Sequence, residues 1–217
     1  MVLHNLQALL ERIYDVEPHY DVYDYLVTDR RVLKDVVPQN DARILDEELL
    51  LAELPDGAGI ALYLDEGLLG RLEGADPLGA LTEKNLADYC TALEGVSHFL
   101  YSTWRLDRDS PVSLLELETQ AEVDKYAVTV FLLADQQGGN YPVQVHARLF
   151  DQVIFDARLE PDQYDRYRMA HRCAARYCRK LEDRFVKRGS ARIEALVREL
   201  RKFYRLANTA KLRHAIA

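Results

Sequence analysis

From residue 82 onward, apolar side chains recur at three- and four-residue steps, a spacing that fits helix and little else. Thr82 can cap a helix whose face runs Leu86, Tyr89, Leu93, Val96, Leu100 and Trp104. Ser113-Leu114-Leu115-Glu116 fits a capping box, in which two side chains satisfy each other's exposed backbone donors. It opens a helix reaching about Asp135, where Gly138-Gly139 supplies a stop. Residues Tyr126 to Leu133 of that stretch are β-branched enough for a strand, though helix is the preferred reading. Pro142 and Pro161 each suit a first helical turn, where a missing N–H costs nothing. The Pro161 helix is expected to end at Gly189, and Ser190 to cap a helix carrying Ile193, Leu196, Leu200, Phe203 and Ala207.

Before residue 80 the style is different. Leu6, Leu9, Leu10 and Ile13 mark a helix from Leu3 to Tyr14, after which the pattern turns strand-like. Tyr20 to Val27 is aromatic and β-branched, and Leu68 to Leu72 follows an Asp65-Glu66-Gly67 turn; both read as strands. Glu48–Leu54 and Ile60–Leu64 flank Pro55-Asp56-Gly57-Ala58-Gly59, which predicts a hairpin over 48–64. The expected fold class is α+β, predominantly α: a small N-terminal antiparallel sheet in residues 1–80, then a five-helix bundle-like region over 82–217. The loop Gly74–Leu81 leaves open whether the two form one continuous domain.

Composition bounds the setting. The 217 residues are 48% apolar and 29% charged, and no run approaches the roughly 20 apolar residues that span a bilayer. The N-terminus has neither a basic segment nor a small-residue cleavage site. Three irregularly spaced cysteines, Cys90, Cys173 and Cys178, speak against a disulfide framework. A cytoplasmic protein without a membrane partner is expected.

Charge is strongly divided. Residues 161–217 carry sixteen Lys/Arg against six Asp/Glu, and residues 1–160 carry twelve against thirty. Arg168, Arg172, Arg176 and Arg179 form a stripe beside a seam of Tyr164, Tyr167, His171, Ala174, Cys178, Leu181 and Phe185. Four guanidiniums on one face could bind anions, because each offers a planar fork of donors. The simpler reading, preferred here, pairs them with acidic helices of the same chain. The basic stretch 184–213 includes Phe203 and Tyr204, a mixture that suits single-stranded nucleic acid. Phe203 falls on an apolar stripe, however, and the chain is acidic overall, which weighs against that partner.

Catalytic signatures are scarce. Neither GxxxxGK[ST] nor GxGxxG occurs, no cofactor is expected, and Gly95-Val96-Ser97-His98 lacks the nucleophile elbow GxSxG. Cys90 has no cationic neighbour in sequence to activate it. Glu94 and His98 share one helix face, and Glu118, Glu122 and Lys125 share another. Carboxylates and a histidine on neighbouring helices are the raw material of a metal centre, although the Glu-x-x-His spacing of di-iron bundles is missing. Helix-dipole compensation is the simpler account of these acids. The leading reading is a non-enzymatic interaction or regulatory protein with a protein partner. Two others stand beside it: an anion or nucleic-acid binder through Arg168, Arg172, Arg176 and Arg179, and a metal-dependent enzyme using Glu94, His98, Glu118 and Glu122.

Overall fold

A computed structural model describes the chain apart from residues 18, 33–45, 55, 56, 143, 152, 154, 156–158 and 189–191. Helix α1 spans Val2–Tyr14 and buries Leu3, Leu6, Leu10 and Ile13. Strands β1 (Leu26–Val27), β2 (Glu47–Leu54) and β3 (Gly57–Leu64) form one sheet in the order β1-β3-β2. Helices α2 (Glu66–Gly74), α3 (Leu86–Leu106), α4 (Leu114–Gln136), α5 (Val145–Phe150), α6 (Pro161–Arg184), α7 (Ile193–Arg205) and α8 (Asn208–Ile216) follow. The α+β, mainly helical class is as the periodicity predicts.

The hairpin is present, with Glu48 opposite Tyr63 and Leu54 opposite Gly57; the predicted Pro55-Asp56 turn lies outside the described residues. The sheet is mixed rather than antiparallel, because β1 runs parallel to β3 through Leu26–Leu62 and Val27–Tyr63. Most of the predicted Tyr20–Val27 strand is a 3-10 turn at Val22–Tyr25. Asp21 accepts from the Tyr23 N–H at 2.9 Å, and Gln7 accepts from the Val22 N–H at 2.8 Å, so these donors are taken before a sheet can use them. The predicted strand Leu68–Leu72 is helix α2. Asp65 caps it by accepting from Gly67 and Leu68 N–H, and the four-residue step then buries both Leu68 and Leu72.

Tyr126 to Leu133 is helical, within α4. That helix is buried on nearly every side between α3 and α6, which explains an apolar run without a polar face. Ser113 caps it as predicted, accepting from the Glu116 N–H at 3.2 Å, while the Glu116 carboxylate accepts from Tyr101 Oη at 2.5 Å. Helix α3 starts at Leu86, after Asn85 rather than Thr82. Asn85 accepts from the Thr82 N–H and donates to the Ala75 and Ala80 carbonyls, which ties the preceding loop down. Pro142 does not begin a helix: the chain first passes through Gln144 at φ 78°, a left-handed conformation incompatible with a helix interior. Pro161 does occupy the first turn of α6. That helix ends at Arg184, short of Gly189, which with Ser190 lies outside the described residues. The expected last helix is two, because Leu206 and Ala207 are extended.

Helix α3 carries the sheet on one side and α1 and α4 on others, and α6 covers α4. One hydrophobic cluster runs through Leu3, Leu62, Val96, Val128, Leu181, Phe203 and Ala215. Gly95 sets the closeness of sheet and helix: a Cβ there would lie 2.9 Å from Glu47 Cγ and 3.0 Å from Leu62 Cδ1.

Candidate functional site

A polar centre lies where α3, α4 and α6 meet β2. The four-residue step aligns Glu94 with His98 on α3 and Glu118 with Glu122 on α4. The pairings run in opposite order along the two helices: His98 meets Glu118, and Glu94 meets Lys125. Close packing at Gly95 lets Glu47 of β2 reach the same spot, where its Oε1 is 3.3 Å from His98 Nδ1. On the other side of the ring, His98 Nε2 is 3.5 Å from Glu118 Oε2.

Glu94, Glu118 and Glu122 each have a basic partner besides the shared centre. Lys125 Nζ donates to Glu94 Oε2 at 3.0 Å and also to Glu122. His171 Nδ1 is 3.2 Å from Glu122 Oε2, and its Nε2 is 3.2 Å from the Phe150 carbonyl. Arg166 Nε sits 3.7 Å from Glu118 Oε1. Thus Glu94, His98, Glu118 and Glu122, proposed from spacing alone, join one network. Glu94, His98 and Glu118 converge most tightly, each offering one donor atom within 4.8 Å of the others. Glu122 stands a step away, held by Lys125 and His171.

Burial and charge oppose each other throughout. Burial draws the His98 pKa down, but Glu118 and Glu47 outweigh it and hold the ring well above its ordinary value. Lys125 behaves likewise: desolvation lowers it, and Glu122 and Glu94 raise it well above the usual lysine value. Desolvation would raise Glu122, yet Lys125 and His171 bring it down to about 2. Glu94 is shifted upward, chiefly by burial. Two polar atoms are buried without a hydrogen bond, His98 Nε2 and Arg166 Nε. The His98 side chain is only 8% exposed, and Glu118 Oε2 stands 3.5 Å from Nε2, an ion-pair distance too long for a good hydrogen bond.

A second network fills the core on the other side of α4. Asp124 accepts from Tyr14 Oη, from Ser97 Oγ at 2.6 Å and from Gln120 Nε2 at 2.6 Å, and burial raises it to about 6. Lys211 of α8 is fully buried, donates to Gln120 Oε1 at 2.5 Å, and lies 4.0 Å from the Tyr101 ring centre. Spacing on α8 gave no sign of that lysine's burial, because Tyr101 and Gln120 come from the distant helices α3 and α4. Ser97 is committed to Asp124, and burial pushes the Cys90 thiol up to about 12; neither is an activated nucleophile.

The arginine stripe faces outward. Arg168, Arg172, Arg176 and Arg179 are all exposed. Two of the four have partners within the chain: Arg168 meets Asp165 of its own helix at 3.1 Å, and Arg179 lies 3.6 Å from Asp151 at the end of α5. Arg172 and Arg176 have no ion pair among the described residues. Farther on, Arg201 donates to the carbonyls of Ile13 and Arg12, and Arg205 to those of Tyr14 and Asp15. These are carbonyls at the C-terminal end of α1, where a helix presents unsatisfied acceptors and partial negative charge. Phe203 and Tyr204 are buried, so they offer no stacking surface for bases.

Among the described residues no helix is long and apolar enough to cross a membrane. Compared with models of protein families, with curated proteins and with solved structures, the chain finds no match.

Proposed function

We propose that the protein is a metal-dependent enzyme whose divalent ion is held by Glu94, His98 and Glu118. The observation that carries this reading is the convergence of three donor atoms within 4.8 Å around a buried imidazole nitrogen that has no hydrogen bond. Bonds of about 2.0–2.2 Å at tetrahedral angles set donors about 3.3–3.6 Å apart; His98 Nε2 and Glu118 Oε2 already stand at 3.5 Å, and Glu94 would close on them by up to about 1.5 Å. The surroundings suit a ligand set. Metal-bound histidines usually give their other ring N–H to a carboxylate, and Glu47 lies at His98 Nδ1 in that role. Lys125 holds the second oxygen of Glu94, and Arg166 lies beside Glu118. Without an ion, a protonated His98 joins Lys125 and Arg166 in balancing Glu47, Glu94, Glu118 and Glu122; a divalent ion would take the place of that proton, with His98 as a neutral donor. One nitrogen and two carboxylates suit zinc, manganese or ferrous iron. Such an ion polarises a substrate oxygen and acidifies a bound water.

Elemental analysis of protein purified without chelators should give about one equivalent of a transition metal. His98→Ala and Glu118→Gln should abolish it, and Glu47→Gln should weaken binding by about 10–100-fold through loss of ring orientation. A wild-type preparation that stays metal-free after incubation with zinc, manganese and ferrous iron would overturn the assignment.

The exposed arginines support a second reading, an interaction surface for an acidic partner protein along α6. If so, Arg172→Ala with Arg176→Ala should lower salt-dependent retention on heparin and leave the melting temperature unchanged.

A further inference from the structure

A pocket of about 450 Å³ opens between α3, α4 and α5, directly beside the polar centre. Glu83, Glu122, Lys125 and Arg148 line it together with the apolar Leu86, Leu149 and Phe150. This is within the size range of small-molecule sites, which combine apolar walls with a few placed polar groups. Arg148 of α5 is the polar group that lacks an adequate partner. Its Nη2 meets Glu83 Oε1 at 2.9 Å, but that glutamate is 79% exposed, and such a pair contributes little. Its Nε is buried and has no hydrogen bond. A guanidinium N–H withdrawn from water without an acceptor is unfavourable, and a planar carboxylate that displaces the exposed Glu83 and turns the fork into the pocket would satisfy it in a two-pronged geometry. Lys125 cannot serve in its place, being already shared by Glu94 and Glu122.

We infer that this pocket binds a small amphipathic carboxylate, with Arg148 as its anchor and the apolar body against Leu86, Leu149 and Phe150. Only the status of that molecule as a substrate rests on the metal reading; binding itself does not. An amine would find Glu83 exposed to water and Glu122 already held by Lys125 and His171, and it would leave Arg148 Nε unsatisfied. A neutral alcohol leaves Arg148 Nε unsatisfied.

Hexanoate is a suitable probe, with hexanol, hexylamine and inorganic phosphate as comparisons, titrated calorimetrically into the full chain with and without added metal. At typical efficiencies for eight heavy atoms, hexanoate should bind with a Kd of about 1 mM. Hexanol should bind at least about tenfold more weakly, the loss expected for one charge-assisted contact. Hexylamine and phosphate should not bind, the latter because it lacks an apolar body. Arg148→Gln should weaken hexanoate by about tenfold or more. Ala87→Trp, an exposed position on the pocket wall, should block it independently of any change at Arg148. Equal binding of hexanol, unchanged affinity in Arg148→Gln, or no hexanoate binding at 10 mM, about ten times the expected Kd, would overturn the inference. Hexanoate binding by a chain that takes up no metal would sink the metal reading alone. A metal-loaded chain that ignores hexanoate would sink this one alone.

Discussion

A methyl group on Gly95 would meet the side chains of Glu47, Leu62 and Leu64 at 2.9, 3.0 and 3.3 Å. Alanine ordinarily stabilises a helix interior by about 1 kcal/mol over glycine, but overpacking a closed interface costs about 1–3 kcal/mol. Gly95→Ala should therefore lower thermal stability, and it should also loosen Glu47 from His98, which elemental analysis would detect as weaker metal retention. Lys211 makes a separate prediction. Burial lowers its pKa from 10.5 to about 7, against the partial support of Glu116 and Asp124 on α4, with Arg105 on α3 opposing them. Between pH 7 and 10.5 the unfolded chain thus binds more protons at this site than the folded one, so this residue makes stability rise with pH across that window. Below pH 7 the contribution is constant. Lys211→Met should flatten the rise in denaturation midpoint between pH 7 and 10.

Among the elements, the long helices were legible because their apolar steps repeat over several turns, and Glu94, His98, Glu118 and Glu122 came with them as same-face residues. Partners from elsewhere were not legible: Glu47 arrives from a strand, and Arg166 and His171 from α6, through packing that spacing does not encode. Short elements failed for a local reason. Asp21 and Asp65 take up backbone donors within three residues, and this turned two apparent strands into a 3-10 turn and a helix. Nor did spacing reveal that the basic α7 places Arg201 and Arg205 on helix-end carbonyls of α1, with Arg201 also 3.4 Å from Asp15. Arg201 and Arg205 cover the end of α1 with four hydrogen bonds from partly exposed side chains. Replacing both by glutamine should destabilise the protein by about 1–2 kcal/mol. The melting temperature should then fall by roughly 2–8 °C.

At the scale of the whole molecule, the boundary suggested near residue 80 by the change in sequence style is crossed by packing. Leu62 and Leu64 of β3 lie against α3 at Gly95, and α1 packs on α3 and α7. A fragment of residues 82–217 would expose that face of α3 and lose Glu47, so it should melt without a cooperative transition, as judged by calorimetry. The same arrangement bears on how the chain is made. The carbonyl of Ile13 receives its hydrogen bond from a residue 188 positions later, and that of Tyr14 from one 191 positions later. On the ribosome α1 is synthesised long before α7, so its end stays open to water, to chaperones and to competing strands until translation has passed Arg205.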